Sequence, residues 1–173
     1  MSIKQEHKDL IVELVKLFKP KTYVEIGARF GYLFNSVSPL VERSIAVDLR
    51  LKGIKQKQGV ECYQMDSKDF AKKWKDPIDF LFIDADHDAK AVLTDFKNFA
   101  PFVKENTGLI LLHDTYPVSR ELLKKEFCSD AWKIARKIHK LKVYSDYEIV
   151  TLPGPNTGLS IIRKAVKHGW MDR

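Results

Sequence analysis

Residues 78–90 read IDFLFIDADHDAK, and this stretch indicates what kind of fold the chain adopts. Residues 78–84 are apolar at nearly every position, which is the pattern of a strand buried on both faces of a helix-covered parallel sheet. Asp84, Asp86, His87 and Asp88 then fall within five positions. The cluster is either a metal and acid/base site, or the end of a strand and the start of a helix.

Strands and helices alternate on both sides of this stretch. Apolar residues at period two or at helical spacing, together with glycine and proline breaks, define the elements. Predicted strands cover 22–27, 44–49, 60–65, 78–84, 108–114, 147–153 and 158–164; predicted helices cover 5–19, 31–40, a long stretch marked by Val92, Phe96, Phe99 and Val103, and 117–139, with Ser129 as a candidate break. Residues 154–158 suit a hairpin turn between the last two strands. The sequence therefore predicts one domain over 1–173, an α/β fold with a doubly wound, seven-stranded, mostly parallel sheet and a C-terminal antiparallel hairpin.

Composition is that of an ordinary globular protein. Hydrophobic residues make up 45% and charged residues 31% of 173, and no run of about 18 apolar residues predicts a membrane span. Cys62 and Cys128 form no CxxC pair, and no signal-peptide pattern opens the chain, so a reducing, cytoplasmic setting is expected. The net charge of +7 favours anionic partners weakly, because short lysine clusters are either solvated faces or a surface for nucleic acid or anionic substrates.

The ends of the first five strands carry the residues that suggest a ligand site. Ligands of open α/β sheets bind at the carboxyl ends of the strands, near the point where strand order reverses. The five predicted ends are the glycine loop EIGARFG (25–31), Asp48, Asp66, Asp84 and the pair His113–Asp114. Any one acid could be a helix cap, but five polar ends at one edge indicate a site.

The glycine loop narrows the class of ligand. Gly27 and Gly31 let the backbone turn sharply and approach a ligand closely. A dinucleotide-binding GxGxxG motif would need glycine where Arg29 and Tyr32 stand. This weighs against a nicotinamide-dependent oxidoreductase and leaves another cofactor, or a plain strand–helix turn, as interpretations.

Two motifs resemble a known family. VEIGARFGY (24–32) resembles the first motif of class I S-adenosylmethionine (SAM)-dependent methyltransferases, with spacing like that of small O-methyltransferases related to catechol O-methyltransferase. Residues 78–114 resemble small methyltransferases of the cephalosporin-hydroxylase-associated type, in which one strand ends in Asp-x-Asp-His and the next in His-Asp. The resemblance covers about residues 22–164 and implies a Rossmann-like methyltransferase fold, SAM as cofactor and methyl transfer as the activity.

The resemblance also implies a cofactor site. Its residues would be Glu25, Gly27, Ala28, Arg29, Gly31, Asp48, Asp66, Ser67 and Asp84. Asp48 would accept hydrogen bonds from the ribose hydroxyls, unless it is a turn acid. Asp66 and Ser67 would lie by the adenine, unless they cap the following helix. Arg29 would reach the carboxylate of the cofactor, or would be exposed.

A catalytic pair is expected where the fourth and fifth strands end. Neighbouring strands lie about 4.8 Å apart, so Asp84 and Asp114 would be side by side, and adjacent carboxylates repel unless a positive group separates them or one is protonated. In the catechol-type family two acids and an amide hold a metal here, and oxygen ligands suit Mg²⁺. Thr115 replaces that amide. His113 would favour a transition metal instead, or would point into the core.

His87 lies three positions after Asp84, where the catechol-type enzymes carry a lysine base. An imidazole accepts protons near neutral pH, so His87 is a candidate for deprotonating a hydroxyl, or it is a surface residue of the first helical turn. Asp86 and Asp88 are assigned mainly to helix capping.

The methyl acceptor is the least determined part. DADH replaces the Asn/Asp-Pro-Pro-aromatic motif of base N-methyltransferases, and no Pro-Cys motif suggests cytosine C5 chemistry. A hydroxyl of a small molecule, sugar or natural product is the first choice, with the first helix and Tyr116 and Arg120 as candidate walls. An RNA-modifying enzyme, a non-catalytic nucleotide-binding domain and a homodimer stay open. A compact acidic pocket would favour the first choice, and a contiguous basic surface beside it would favour RNA.

Overall fold

Seven strands and five α-helices alternate along the described part of the chain. The structure is a computed structural model that describes residues 7–140, 146–154 and 156–164, apart from the side chain of His139. The strands are β1 (Thr22–Ile26), β2 (Arg43–Asp48), β3 (Val60–Gln64), β4 (Phe80–Ile83), β5 (Leu109–His113), β6 (Tyr147–Leu152) and β7 (Leu159–Lys164). The α-helices are α1 (Lys8–Phe18), α2 (Phe34–Val37), α3 (Ser67–Lys73), α4 (Ala89–Phe99) and α5 (Trp132–Lys140). The described residues leave out residues 5 and 6 of the predicted first helix and Pro155 of the predicted turn. They also leave out residues 1–4, 141–145 and 165–173 of the predicted domain.

The strands form one sheet in the order β3-β2-β1-β4-β5-β7-β6. The first five strands pair in parallel, while β7 is antiparallel to both β5 and β6. The sequence prediction of a mostly parallel, seven-stranded sheet with an antiparallel C-terminal hairpin is confirmed. Strand order reverses at β1, which lies between β2 and β4, so the expected ligand edge is at the carboxyl ends of these strands.

Both faces of the sheet are covered because its central strands are apolar on both sides. On one face, Val24, Leu81 and Ile110 pack against residues of α3, α4 and α5. On the other, Tyr23 and Phe82 belong to a second core cluster that includes residues of α1 and α2. Two cores hold β1, β4 and β5 from either side, and this fixes their carboxyl ends relative to one another.

Local sequence explains the helices beside the site. In α1, Ile11 and Val15 are buried one helical turn apart, and the helix ends at Lys19, which adopts left-handed geometry before Pro20. The carboxylate of Asp88 accepts hydrogen bonds from the N–H groups of Lys90 and Ala91 at the start of α4, a cap that contributes about 1 kcal/mol.

The prediction of a helix over 117–139 is wrong for its first half. Only α5 is α-helical, and a short 3-10 helix covers Arg120–Leu123. Lys124 is extended and Ser129 has a positive φ of 45°. Turns replace the helix between them. Among the described residues, no helix combines the length and the apolar character that a membrane crossing requires.

Candidate active site

The carboxyl ends of β4 and β5 bring two acids and a histidine together. Ile83 and Leu112 are register partners in these parallel strands, so the chain leaves both strands at the same level. Ligand atoms of Asp84, His87 and Asp114 all lie within 4.8 Å of one another. The sequence placed these three residues at one edge, and the structure gathers them into one cluster.

His113 lies between the two carboxylates. Its Nδ1 is 3.2 Å from Oδ1 of Asp84 and 3.1 Å from Oδ1 of Asp114. Nδ1 makes no well-aligned hydrogen bond, so we describe these contacts as electrostatic. Burial lowers the pKa of His113, but the two carboxylates outweigh burial and hold that pKa well above its usual value. The side chain therefore faces the site, and a positive charge separates the acids.

Asp114 is the most buried acid of the cluster, with 6% of its side chain exposed. Burial would raise its pKa, but contact with His113 and His87 lowers the pKa below the ordinary value. Its backbone has a positive φ of 58°, a geometry that Asp tolerates better than most residues. The Sγ of Cys128 is 3.6 Å from its Oδ1. Asp114 is thus held as a carboxylate.

His87 is oriented by a backbone carbonyl. Its Nδ1 contacts the carbonyl oxygen of Phe127, and a carbonyl only accepts, so Nδ1 carries the hydrogen. In the neutral imidazole, Nε2 is then the proton-accepting atom. Nε2 lies 3.2 Å from Oδ2 of Asp114, where a carboxylate stabilises the protonated ring. This arrangement fits a general base whose conjugate acid has a partner.

His7 is a member of the site that sequence reasoning missed. It stands directly before α1 and is 5% exposed. Its Nδ1 is 3.2 Å from Nε2 of His113, and the two rings meet edge to face at 80°. The packing of α1 on the sheet brings His7 to His113. A single histidine before an amphipathic helix gives no sign in the sequence that it belongs to a site.

Gly27 packs directly against the end of β4. Its φ is 99°, and a Cβ atom on it would stand 2.2 Å from the carbonyl oxygen of Asp84. Only glycine fits this close approach. Gly31 also has a positive φ, of 68°. The glycine turn and Asp84, the candidate catalytic acid, are therefore parts of one continuous structure.

Two adjoining cavities open along this edge. The first, of about 390 Å³, is lined by His7, Glu25, Asp84, His87 and Asp114 among others. The second, of about 400 Å³, extends toward the ends of β2 and β3. Residues that line both are Gly27, Arg29, Asp48, Ala85, His87 and Glu126. Together they form an acidic cavity, the name used below, whose size and shape suit an elongated nucleoside-like ligand.

Glu25 is buried on the floor of the acidic cavity. The hydroxyl of Tyr23 donates to its Oε2 at 2.5 Å. Burial, and to a smaller extent the charges of Asp84 and Asp48, raise the pKa of Glu25 to about 8, while the Tyr23 hydrogen bond opposes this. Burial also raises the pKa of Tyr23. Glu25 is therefore protonated at neutral pH in the absence of a cationic neighbour.

Asp48 and Arg29 meet at the centre of the edge. Oδ2 of Asp48 accepts from the N–H of Arg29 at 3.1 Å, and Oδ1 accepts from the N–H of Arg50 at 2.8 Å. These amides orient the carboxylate and leave it lone pairs for a hydroxyl ligand. The guanidinium of Arg29 lies 4.9 Å over the ring of Phe30, and the residue is exposed while lining both cavities. Ala28 is buried beside it.

The far end of the acidic cavity has further polar groups. Asp66 caps α3 by accepting from the N–H of Lys68 at 2.8 Å. The hydroxyl of Ser67 donates to Oδ1 of Asp95 at 2.6 Å. Asp95 is 4% exposed, and burial raises its pKa to about 6. Asp66 therefore both caps α3 and lines the cavity. Asp95 also lines the cavity, which the helical spacing of the sequence did not indicate.

The remaining acids of the opening cluster and Thr115 are held by local hydrogen bonds, and Asp86 also lines the second cavity. The carboxylate of Asp86 accepts from the N–H of Asp88, which itself caps α4. The hydroxyl of Thr115 accepts from Ser160 at 2.8 Å. Thr115 stands where the catechol-type family has its amide. Its hydroxyl is hydrogen-bonded to Ser160.

Comparison with solved structures identifies the fold. The chain is similar to the cofactor-bound protein Rv0187 from MTB, with a TM-score of 0.71, 14% identity, and coverage of 96% of this chain and 82% of that one. For the O-methyltransferase TomG from Streptomyces achromogenes, in complex with SAM, the TM-score is 0.68 and the identity 13%. The match covers 96% of this chain and 82% of that one. For an O-methyltransferase from Bacillus cereus in complex with SAH, the TM-score is 0.68 and the identity 15%. The match covers 95% of this chain and 82% of that one. At these identities the likeness establishes the fold.

Sequence comparison identifies the family. A family model described as "Methyltransferase domain" matches residues 24–115, just over half of the chain. A search of curated proteins finds no significant match. Fold and family together define a class I SAM-dependent methyltransferase, which confirms the expected class and enzyme activity. The chain belongs to this methyltransferase-domain family.

Proposed function

We propose that the chain transfers the methyl group of SAM to a hydroxyl of a small molecule. The observation that carries this proposal is the placement of His87, whose Nε2 lies beside Asp114 inside a compact acidic cavity. Two of the similar structures are described as O-methyltransferases, one of them involved in tomaymycin synthesis. Both descriptions agree with an oxygen acceptor, and the first agrees with a small one.

The residues of the acidic cavity divide the work between binding and orientation. SAM, when bound, supplies a methyl group on a positively charged sulfur, which is already a strong electrophile. Gly27 and Gly31 would let the backbone approach its methionine part, and Asp48 would accept from the ribose hydroxyls. Asp66 and Ser67 would lie by the adenine. Glu25 and Asp84 would add negative character next to the cation. Together these residues would hold the donor in one orientation.

His87 removes the proton of the acceptor hydroxyl in this proposal. The Phe127 carbonyl fixes the ring so that Nε2 receives the proton. Asp114 lies beside the same nitrogen and would accept the new N–H of the imidazolium, whereas in catalytic triads the acid holds the opposite ring nitrogen, the place that the Phe127 carbonyl takes here. A positioned base of this kind contributes about 10²–10⁴-fold to the rate. Asp84 and His113 hold Asp114 and the acceptor side of the cavity in place.

Asp84, His87 and Asp114 also fit a divalent cation in number and type of donor atoms. Such an ion would make the acceptor hydroxyl more acidic. With imidazole in the set, Mn²⁺, Fe²⁺ or Zn²⁺ suit it better than Mg²⁺. A cation must compete with His113, which already lies between both carboxylates. We therefore expect metal binding to be weak and Mn²⁺ to bind more tightly than Mg²⁺ in calorimetric titrations.

We also propose that the chain is a single domain and that it works in the cytoplasm. The described elements form one continuous sheet with a core on each face, which supports a single domain over residues 1–173. Cys62 and Cys128 are free thiols, which supports a reducing, cytoplasmic setting.

The decisive experiment combines cofactor binding with product analysis. Calorimetry with SAM and with NAD⁺, each with and without Mg²⁺ and Mn²⁺, should give binding of SAM and none of NAD⁺. Labelled SAM is then incubated with catechols, aminophenols and sugars, which offer both oxygen and nitrogen acceptors, and NMR of the product locates the methyl group. His87→Gln should lose about 10²–10⁴-fold in kcat while binding SAM normally.

Asp88→Ser is the matched control, because serine also caps a helix and residue 88 lines neither cavity. It should retain wild-type turnover. Absence of SAM binding would overturn the proposed function. A methyl group found on nitrogen, or a fully active His87→Gln, would overturn the oxygen acceptor or the base, respectively.

A further inference from the structure

A second depression lies on the other side of β5 from the glycine turn. Its volume is about 910 Å³. The segment after Asp114, one stripe of α5 and the edge strand β6 line it. We call it the basic groove and define it by Tyr116, Arg120, Trp132, Arg136, Lys140 and Thr151.

One end of the groove adjoins the acidic cavity. Strands β5 and β6 run in the same direction, because each is antiparallel to β7. Leu159 pairs with both His113 and Leu152, so the end of β6 is level with the catalytic edge. A row of hydroxyls joins Thr151, Ser160 and Thr115 at 2.8 Å each. Thr115 lines the groove and directly follows Asp114. Thr115 and Ser160 are buried, so the row links the two regions beneath the surface, and a ligand would pass from one to the other above it.

The charge of the groove is opposite to that of the cavity. Its cations are Arg120, Arg136 and Lys140, and the described residues that line it include no acid. None of the three forms an ion pair with another described residue. Cations without carboxylate partners in a concave site favour an anionic ligand.

Aromatic side chains add a second preference. Tyr116 is 49% exposed, and Trp132 is half-buried on the first turn of α5. The guanidinium of Arg136 lies 5.1 Å from the centre of the Trp132 ring. Such a stacked pair presents a flat apolar surface beside a positive charge. The combination matches a ring that carries a phosphate or carboxylate.

We propose that the basic groove binds the anionic part of the methyl acceptor, an aromatic compound bearing a phosphate or carboxylate. This rests on the proposed function, because the acceptor hydroxyl must reach His87. The anion lies along Arg120 and Arg136, the ring lies on Trp132, and the reacting end extends past Thr115 toward Asp114. The groove thereby determines which hydroxyl compounds the enzyme accepts.

The test measures groove binding without SAM. The probe is 1-naphthyl phosphate, compared with neutral 1-naphthalenemethanol and with inorganic phosphate. We expect the naphthyl phosphate to bind at least about tenfold more tightly than either. In ¹H–¹⁵N spectra the indole signal of Trp132, assigned with Trp132→Phe, should shift, whereas that of the buried Trp74 should not. The double variant Arg120→Ala/Arg136→Ala should weaken binding by at least about tenfold.

Lys137→Ala is the matched control, because Lys137 is exposed on the same helix and does not line the groove. It should bind the probe within about twofold of wild type. Equal binding of the naphthalenemethanol, or unchanged binding by the double variant, overturns the proposal. So does a 12-nucleotide single-stranded RNA that binds with strong salt dependence and displaces the probe, since the groove would then serve RNA. This binding test is done without SAM. A failure to bind SAM would therefore contradict the proposed function without affecting the result of this test.

Discussion

The acidic cavity and the basic groove share one edge of the sheet but have opposite charge. The cavity has Glu25, Asp48, Asp84 and Asp114 on its walls, and the groove has three cations and no described acid. The difference follows from the ligands that each would hold. A positively charged methyl donor requires negative walls, and an anionic acceptor requires positive ones. The hydroxyl row between them carries no charge, and Thr115 at its end directly follows Asp114 of the cavity.

The largest expected effect comes from breaking the cavity at its glycine turn. In Gly27→Ala, the new Cβ would stand 2.2 Å from the Asp84 carbonyl, at a φ of 99°. Backbone must move, so we expect a loss of roughly 3 kcal/mol or more in the free energy of unfolding, and a loss of at least about 100-fold in SAM affinity. Urea unfolding and calorimetry measure the two effects.

Gly53→Ala is the matched control for this change. Gly53 also has a positive φ, of 69°, but its nearest contact would be 3.1 Å, to the Phe30 carbonyl. It should cost about 1 kcal/mol and leave the cavity intact. Equal effects of the two variants would show that backbone conformation, and not the contact with Asp84, makes Gly27 necessary.

The acidic cavity was more predictable from sequence than the groove. Asp84 and Asp114 end apolar runs that only a parallel sheet can bury, so their meeting follows from local pattern and topology. The contact of His7 with His113 depends on how α1 packs, and residue spacing does not encode it. Whether His113 faces the site or the core was open for the same reason.

The segment 117–131 shows how tertiary contacts override a helical pattern. Leu123, Phe127 and Ala131 are four residues apart, as on one face of a helix. In the structure, the Phe127 carbonyl instead contacts Nδ1 of His87. The N–H of Cys128 donates to the carbonyl of Leu122 at 2.9 Å. The N–H of Ala131, which would donate to the Phe127 carbonyl in a helix, donates to the Cys128 carbonyl at 3.0 Å. The groove depends on this segment, so sequence identified Tyr116 and Arg120 as candidate walls but not the surface they form.

The second prediction concerns the buried acid of the cavity. The pKa of Glu25 is about 8 in the folded protein against an ordinary value of 4.5. Between these values the folded state holds a proton that the unfolded state has lost, so stability falls as pH rises through this window, by about 1.4 kcal/mol per pH unit. Glu25→Gln removes this loss and keeps an acceptor for Tyr23. Urea unfolding from pH 5 to 8 should show the variant becoming progressively more stable than wild type.

Arg136→Gln, in the groove, provides the control for that pH dependence. Its side chain is exposed, so its unfolding free energy should parallel that of wild type across the same range. Parallel curves for Glu25→Gln and wild type would mean that Glu25 is ionised in the folded protein, and the cavity floor would then be more polar than its burial indicates.

A third, smaller effect is expected at Asp48. Its carboxylate is oriented by two exposed loop amides, so Asp48→Asn should leave stability nearly unchanged. The variant loses a charged acceptor for the ribose hydroxyls, and SAM affinity should fall by about tenfold, or about 1.4 kcal/mol. Calorimetry measures this, with Asp88→Asn as an acid-to-amide control outside the cavity. Unchanged affinity would place the ribose away from Asp48.

The smallest effect tests whether cavity and groove are independent. Arg136 lies on α5, across the hydroxyl row from the cofactor side, and charges more than about 8 Å apart are largely screened at physiological salt. Arg136→Gln should therefore change SAM affinity by less than about twofold at 150 mM salt, although it weakens binding of the naphthyl phosphate. If SAM affinity instead rose about tenfold, the positive groove would be opposing the positive donor through the protein. The two regions would then be one coupled site, and an anionic acceptor would strengthen SAM binding by neutralising the groove.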